Sequence, residues 1–305
     1  MNGKENAIKK IRLMRKEAEK THEMKIEELR KNSSFDELYR KINSLKWDFI
    51  RERNAGKREK IEKEIASGEN EIKRITASLG SDIDVFGLPY ACEKCNDTGI
   101  ADGKICECAE KLRIAESVKE NPLILPCASG LSKIDFSYYG KGEPTKRKEA
   151  KCLEKGLLEG YKIFLLAGKT GTGKTYFAGS IVRGMLESGK EIKALSAIKL
   201  NKILLEYHLA PLDGKKGIYE ELTETDVMLI DDLGAEQVLN NVTIPYLLEL
   251  LTERAENKKI TLVTTNLSPT ELEKRYGQRI VSRLLDKKLS LALLFTGDDL
   301  RITRK

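Results

Sequence analysis

No stretch of this 305-residue sequence holds 18 consecutive apolar residues, and it does not open with a short basic segment, an apolar core and a small-residue cleavage site. These absences exclude a helical membrane protein and an exported one, so the chain is expected to work in the cytoplasm without a membrane partner. Aromatic residues are scarce, 6% against 34% charged, so the apolar material must be concentrated, and it lies mainly after about residue 150. The two histidines, His22 and His208, are far in sequence from the cysteines and read as surface residues. Six cysteines in a chain this long do not form a secreted disulfide framework. The net charge of +7 suits a polyanion partner, although lysines dispersed over helical faces give the same total.

Proline is also missing from residues 1–80, which are dense in Lys, Arg and Glu. Phe35, Leu38, Ile42, Leu45 and Phe49 recur at helical spacing, as do Ile61, Ile65, Ile72, Ile75 and Leu79. With a turn at Asn54-Ala-Gly56, this predicts a charged, coiled-coil-like helical arm, preceded by a further helix carrying Ile8, Ile11, Met14 and Ala18. Trp47 lies off the seam, with two readings: an anchor for a partner, or ordinary packing.

Residues 81–112 contain Cys92, Cys95, Cys106 and Cys108. A C-x-x-C and a C-x-C separated by a Gly-containing turn supply the four thiolates of a closed structural zinc site. Cys127 and Cys152 read as structural or incidental. Residues 113–159, punctuated by Pro122, Pro126, Gly130, Gly140, Gly142 and Pro144, read as a linker ending in a helix over 146–159. Within it Tyr138 or Tyr139 either lines an adenine pocket or docks the linker.

The remainder, 160–305, alternates strand and helix, with β-rich runs at 163–167, 192–195, 227–230, 260–264 and 289–295. This predicts an α/β domain with a parallel sheet covered on both faces and a nucleotide at the carboxyl ends of its strands. Between the first run and a helix stand Gly168, Lys169, Thr170, Gly171, Thr172, Gly173, Lys174 and Thr175, the pattern G-x-x-x-x-G-K-[ST]. Its backbone N–H groups surround phosphate oxygens, Lys174 reaches the β and γ phosphates, and the Thr175 hydroxyl ligates Mg²⁺. Tyr176 follows on the nucleotide side. Asp231 and Asp232 close the third run, the first to hold Mg²⁺, the second to polarise the attacking water. Asn266 ends the next strand, placed either to contact the γ-phosphate or to lead into the Ser268-Pro269 helix start. Arg279 and Arg283, at i and i+4, share a helix face and serve either as fingers toward a neighbouring subunit or in surface ion pairs.

Together, Gly168 to Thr175, Leu229-Ile-Asp-Asp-Leu-Gly-Ala-Glu236, Thr264-Thr-Asn266 and Gln278-Arg-Ile-Val-Ser-Arg-Leu284 resemble the AAA+ ATPases of the DnaC/DnaI helicase-loader group and the related IstB ATPases. Cys95-Asn-Asp-Thr-Gly99 and Cys106-Glu-Cys108 resemble the zinc region of the DnaI-like members. The resemblance implies a DNA replication protein using ATP, Mg²⁺ and Zn²⁺. It would bind a hexameric replicative helicase through the N-terminal region and single-stranded DNA through the AAA+ domain, and assemble with copies of itself. By the same resemblance Asn266 is sensor 1, Arg283 the arginine finger with Arg279 second, and Arg301 sensor 2. Two departures stand out. Asp232 replaces the commoner Glu, which implies weak or partner-stimulated hydrolysis, and the sequence ends soon after the last strand, which leaves no room for a C-terminal lid. Two further readings are an IstB-like transposition helper and a zinc-stabilised scaffold whose ATP site switches without turnover.

Overall fold

The computed structural model describes residues 3–303, with the side chains at 212–214, 216, 301 and 303 outside the description. The chain divides into two compact units, residues up to 113 and residues from 114 on.

The first unit begins with three helices, α1 (Gly3–Leu29), α2 (Ser33–Arg51) and α3 (Ala55–Ser78). Asn32 and Asn54 start the second and third by accepting from the backbone N–H groups of Phe35 and Lys57. Asn54 is thus a helix cap, and Ala55 and Gly56, expected in a turn, already belong to α3. The seam between α2 and α3 buries Phe35, Ile42 and Ile72, with Leu38, Ile65 and Ile75 packed beside them. Trp47 points away, 63% exposed. The cysteine segment forms a hairpin of β1 (Ile100–Ala101) and β2 (Lys104–Ile105). Asp102 and Gly103 both take positive φ at its tip, the geometry that suits a two-residue connection. It packs within this unit, where Arg12 donates to the Thr98 carbonyl. α4 (Glu107–Glu120) follows.

Residues 114–159 depart from the expected linker, because they belong to the second unit and carry part of its core. Three 3₁₀ turns, at Pro122–Ile124, Leu131–Lys133 and Phe136–Gly142, lead into α5 (Glu143–Glu159). Prolines and glycines break this stretch into turns, yet Ile124, Leu131, Ile134, Phe136 and Leu153 are buried against Phe164, Phe177 and Phe295. Each such side chain removed from water contributes roughly 2 kcal/mol, enough to hold irregular backbone on the domain.

The rest runs β3 (Ile163–Gly168), α6 (Lys174–Glu187), β4 (Ile192–Ser196), α7 (Ala197–Leu209), α8 (Leu212–Glu224), β5 (Val227–Leu233), α9 (Thr243–Glu256), β6 (Ile260–Thr265), α10 (Pro269–Tyr276), α11 (Gln278–Leu284), β7 (Ser290–Phe295) and α12 (Leu300–Thr303). The five strands pair in parallel in the order β4-β5-β6-β3-β7. Alternation along β3, β5 and β6 feeds two cores: Ile163, Leu165, Met228, Ile230 and Val263 face one layer, and Phe164, Leu166, Val227, Leu229 and Leu262 the other. β5 includes the expected strand end at Asp231 and Asp232 and runs one residue further, to Leu233, with a register irregularity between Ile230 and Leu233. Among the described residues no helix is long and apolar enough to cross a membrane.

Candidate functional site

β3, β5 and β6 deliver their carboxyl ends to one cavity of about 760 Å³ in the second unit. Its floor is the loop between β3 and α6. Gly168, at φ +144°, lies so close to β7 that a Cβ would fall 2.2 Å from the Phe295 carbonyl oxygen, so only glycine fits. Gly173 (φ +97°) precedes α6, so Lys174 and Thr175 stand in its first turn.

Lys174 is 6% exposed, and its Nζ donates to the carbonyls of Gly168 (2.6 Å) and Lys169 (2.7 Å) and to Asn266 Oδ1 (2.9 Å). Asn266 Nδ2 in turn donates to Asp232 Oδ1 at 2.7 Å. Asp231 Oδ1 accepts from the hydroxyls of Thr175 (2.7 Å) and Thr264 (2.8 Å), and Thr264 Oγ1 accepts from the Asp232 backbone N–H (2.8 Å). Asp232 adopts φ +57°, an unusual conformation for a residue with a Cβ, which turns its carboxylate from the sheet toward the cavity. Lys174, Thr175, Asp231, Asp232 and Asn266, separated by up to 92 residues, therefore form one continuous network.

The opposite wall comes from the segment read as a linker. Leu123, Pro126, Cys127, Asp135, Tyr138 and Tyr139 line the cavity with Tyr176. The Tyr139 hydroxyl sits over Gly173, and burial pushes its phenol above the ordinary range. Cys127 is 6% exposed, packed against Gly179, and forms part of the cavity wall; burial pushes its thiol up to about 11. The sequence signal for this wall was the aromatic Phe136-Ser-Tyr138-Tyr139 run; nothing singled out Cys127 or Asp135.

The segment after β7 also meets the phosphate loop. Leu300 N donates to the Gly171 carbonyl (3.2 Å), and the Asp299 carboxylate lies against Gly171, where a Cβ would fall 1.8 Å from Asp299 Oδ1. The Arg301 side chain, expected here, is outside the described residues. Arg279 and Arg283 are not among the side chains lining this cavity. Both border a groove between α9 and α11, where Arg283 Nε donates to Thr252 Oγ1 at 3.2 Å.

In the first unit the sulfurs of Cys92, Cys95, Cys106 and Cys108 all lie within 4.8 Å of one another, with Cys92 to Cys106 at 3.8 Å and Cys95 to Cys108 at 3.4 Å. Zinc–sulfur bonds of about 2.3 Å in a tetrahedron place sulfurs about 3.8 Å apart, so the donor set fits that ion. Asp97 accepts from the backbone N–H groups of Ala91 and Cys92, bracing the C-x-x-C turn. Burial works to raise the Cys95 thiol, but hydrogen bonds from the Gly99 backbone and the neighbouring cysteines outweigh it and bring it down to about 7.

Against known proteins, a model of the IstB-like ATP binding protein family matches residues 113–301. The chain is 26% identical over 157 residues to YdaV, an uncharacterized protein of Escherichia coli (strain K12), a match spanning 50% of this chain and 62% of that one. To the replicative helicase loader DnaC of the same strain it is 24% identical over 138 residues, spanning 45% and 56%. It thus covers less than two thirds of either relative. Among solved structures, that of DnaI aligns with a TM-score of 0.44 at 22% identity, covering 59% of this chain and 93% of that one. Because the family model spans well over half of the sequence, the chain belongs to the IstB-like ATP binding proteins.

Proposed function

We propose that this ATP-binding protein is an ATP-hydrolysing helicase loader, which engages a hexameric replicative helicase and single-stranded DNA and assembles with copies of itself through its second unit. The observation that carries the catalytic part is the network joining Lys174, Asn266 and Asp232 beside the Thr175–Asp231 pair. The loader reading draws support from the DnaC relatives.

Thr175 and Asp231 offer adjacent oxygens facing the cavity, a donor set suited to Mg²⁺. When bound there, the ion would draw charge off the phosphate oxygens. The remaining roles fall to side chains. Lys174 transfers its ammonium from the Gly168 and Lys169 carbonyls to the β and γ phosphates. Asp232 orients the attacking water and accepts its proton, while Asn266 fixes that carboxylate. Asp232 is one methylene shorter than Glu, so its reach to the water is marginal, and turnover is slow until DNA or the helicase closes the site. Arg283, or Arg279 beside it, stabilises charge in a neighbouring copy's site. In the other unit, the four cysteines hold a structural Zn²⁺ that fixes the hairpin.

The test combines two measurements on the full chain. Phosphate release should rise on adding single-stranded DNA, and tagged protein from the native host should retain a hexameric replicative helicase. No turnover with DNA and helicase present would overturn the enzymatic reading, and a transposase in place of the helicase would overturn the loader reading.

A further inference from the structure

The loop that leaves the site after Asp232 is closed by a residue that the reading above does not use. Glu236 is 3% exposed. One carboxylate oxygen, Oε2, accepts from the Gly234 backbone N–H at 3.0 Å. The other, Oε1, accepts from the hydroxyl of Tyr276, itself 1% exposed, and the Glu236 carbonyl accepts from Arg275 Nη2. Gly234 lies two residues past Asp232, at φ +114°, with Leu267 packed so closely that a Cβ would meet it at 2.6 Å. Tyr276 is the last residue of α10, and only Gly277 (φ +83°) separates it from α11, which carries Arg279 and Arg283.

A single planar carboxylate thus spans two segments far apart in sequence, one bearing the acid that faces the cavity, the other the arginines on the outer groove. A buried carboxyl group cut off from water is costly unless hydrogen-bond partners surround it, so Glu236 tolerates little displacement of either Gly234 N or the Tyr276 hydroxyl. A shift of the Asp232 loop therefore pulls on the α10–α11 junction. The loop has cause to shift: Asn266 bridges Asp232 and Lys174, and a γ-phosphate reached by Lys174 takes one of its two partners away.

We infer that Glu236 is a positioning residue that sets the Asp232 carboxylate and, through Tyr276, couples occupancy of the nucleotide cavity to the helix bearing Arg279 and Arg283. The inference rests on the reading of Asp232 and the α11 arginines given above. The chain would thereby present its arginine face differently with and without nucleotide.

The test is hydrogen exchange on the full chain with and without a non-hydrolysable ATP analogue. In wild type both 232–238 and 276–284 should slow on binding. In Tyr276→Phe the response at 232–238 should persist while that at 276–284 falls several-fold. A response at 276–284 that survives both Tyr276→Phe and Glu236→Ala, or that is missing in wild type while 232–238 responds, overturns the coupling. Failure of the analogue to bind at all overturns the functional reading itself, and this one with it. Turnover gives a second readout: Glu236→Ala should lower kcat about tenfold with the nucleotide Kd changed less than about twofold, and Glu236→Gln should recover part of the rate. Parallel loss of binding and rate would mark Glu236 as a merely structural residue and sink the positioning role.

Discussion

Lys174 and Asn266, 92 residues apart, meet at 2.9 Å, and the far side of the same amide holds Asp232 at 2.7 Å. An ammonium only donates and a carboxylate only accepts, so these two partners fix which way the amide points. Asn266 therefore bridges Lys174 and Asp232, the residues proposed to reach the phosphates and to orient the attacking water, while contributing no charge. Asn266→Ala should leave binding of a fluorescent ATP analogue within about threefold and cut phosphate release about a hundredfold, the range seen when one oriented polar group leaves a transition state. Unchanged release would remove Asn266 from the chemistry.

A second prediction concerns the segment after β7. Thr296 is fixed by the buried Lys146–Glu149 pair, its carbonyl accepting from Lys146 Nζ (2.8 Å) and its N–H donating to Glu149 (3.2 Å). From that anchor the chain turns at Gly297 and lays Asp299 on Gly171. A carboxylate there opposes an incoming triphosphate by on the order of 1 kcal/mol in a partly exposed setting. Asp299→Asn should tighten ATP binding about fivefold, an effect that shrinks as salt is raised, while Asp298→Asn at the exposed neighbour should do little. Weaker binding by Asp299→Asn would show that the carboxylate assists the nucleotide.

What was legible in the sequence was chemistry confined to a contiguous stretch. The phosphate loop, the Asp231-Asp232 strand end and the four cysteines each announce themselves by residue type and spacing, and the structure brings each set together. The far wall of the cavity was not legible. Pro122, Pro126 and Gly130 mark where the chain turns but not whether the turned chain docks, and Ile124, Leu131, Ile134 and Phe136 are buried without any periodic spacing. Glu236 and Tyr276, 40 residues apart, were hidden for the same reason. A buried carboxylate is recognised by its donors, which only the fold supplies. The arginine pair shows the opposite limit: helical spacing placed Arg279 and Arg283 on one face, as found, yet the face borders a groove of this chain and not its cavity.

A third prediction follows from the cysteines. Four sulfurs mutually within 4.8 Å have no reason to remain crowded as free thiols, since a hairpin of two-residue strands has little core to enforce the approach. The purified protein should contain about one zinc per chain, and Cys106→Ser or prolonged chelation should remove it with loss of ordered structure over 91–108. A metal-free preparation with unchanged hydrogen exchange across that segment would exclude a structural ion.

The last prediction concerns Arg254, the largest wholly buried side chain among the described residues. It donates to the carbonyls of Leu222 (2.7 Å) and Thr225 (2.8 Å) at the end of α8, to the Ile260 carbonyl (2.7 Å) and to Thr261 Oγ1 (2.9 Å) at the start of β6. Among the described residues no carboxylate bonds to it; burial brings the guanidinium down to about 10, against a smaller opposing pull from Asp226. The residue is held by geometry, because its planar fork meets carbonyls on two elements at once. Arg254→Met keeps the bulk and leaves those acceptors dry, which should destabilise the domain by about 3 kcal/mol and lower its Tm by roughly 6–12 °C. Arg254→Lys keeps the charge but not the fork, and a point charge with three donors cannot serve both elements, so it should recover little of that loss. Thermal unfolding of both variants checks this: full rescue by lysine would mean that charge, and not the fork, is what the site requires.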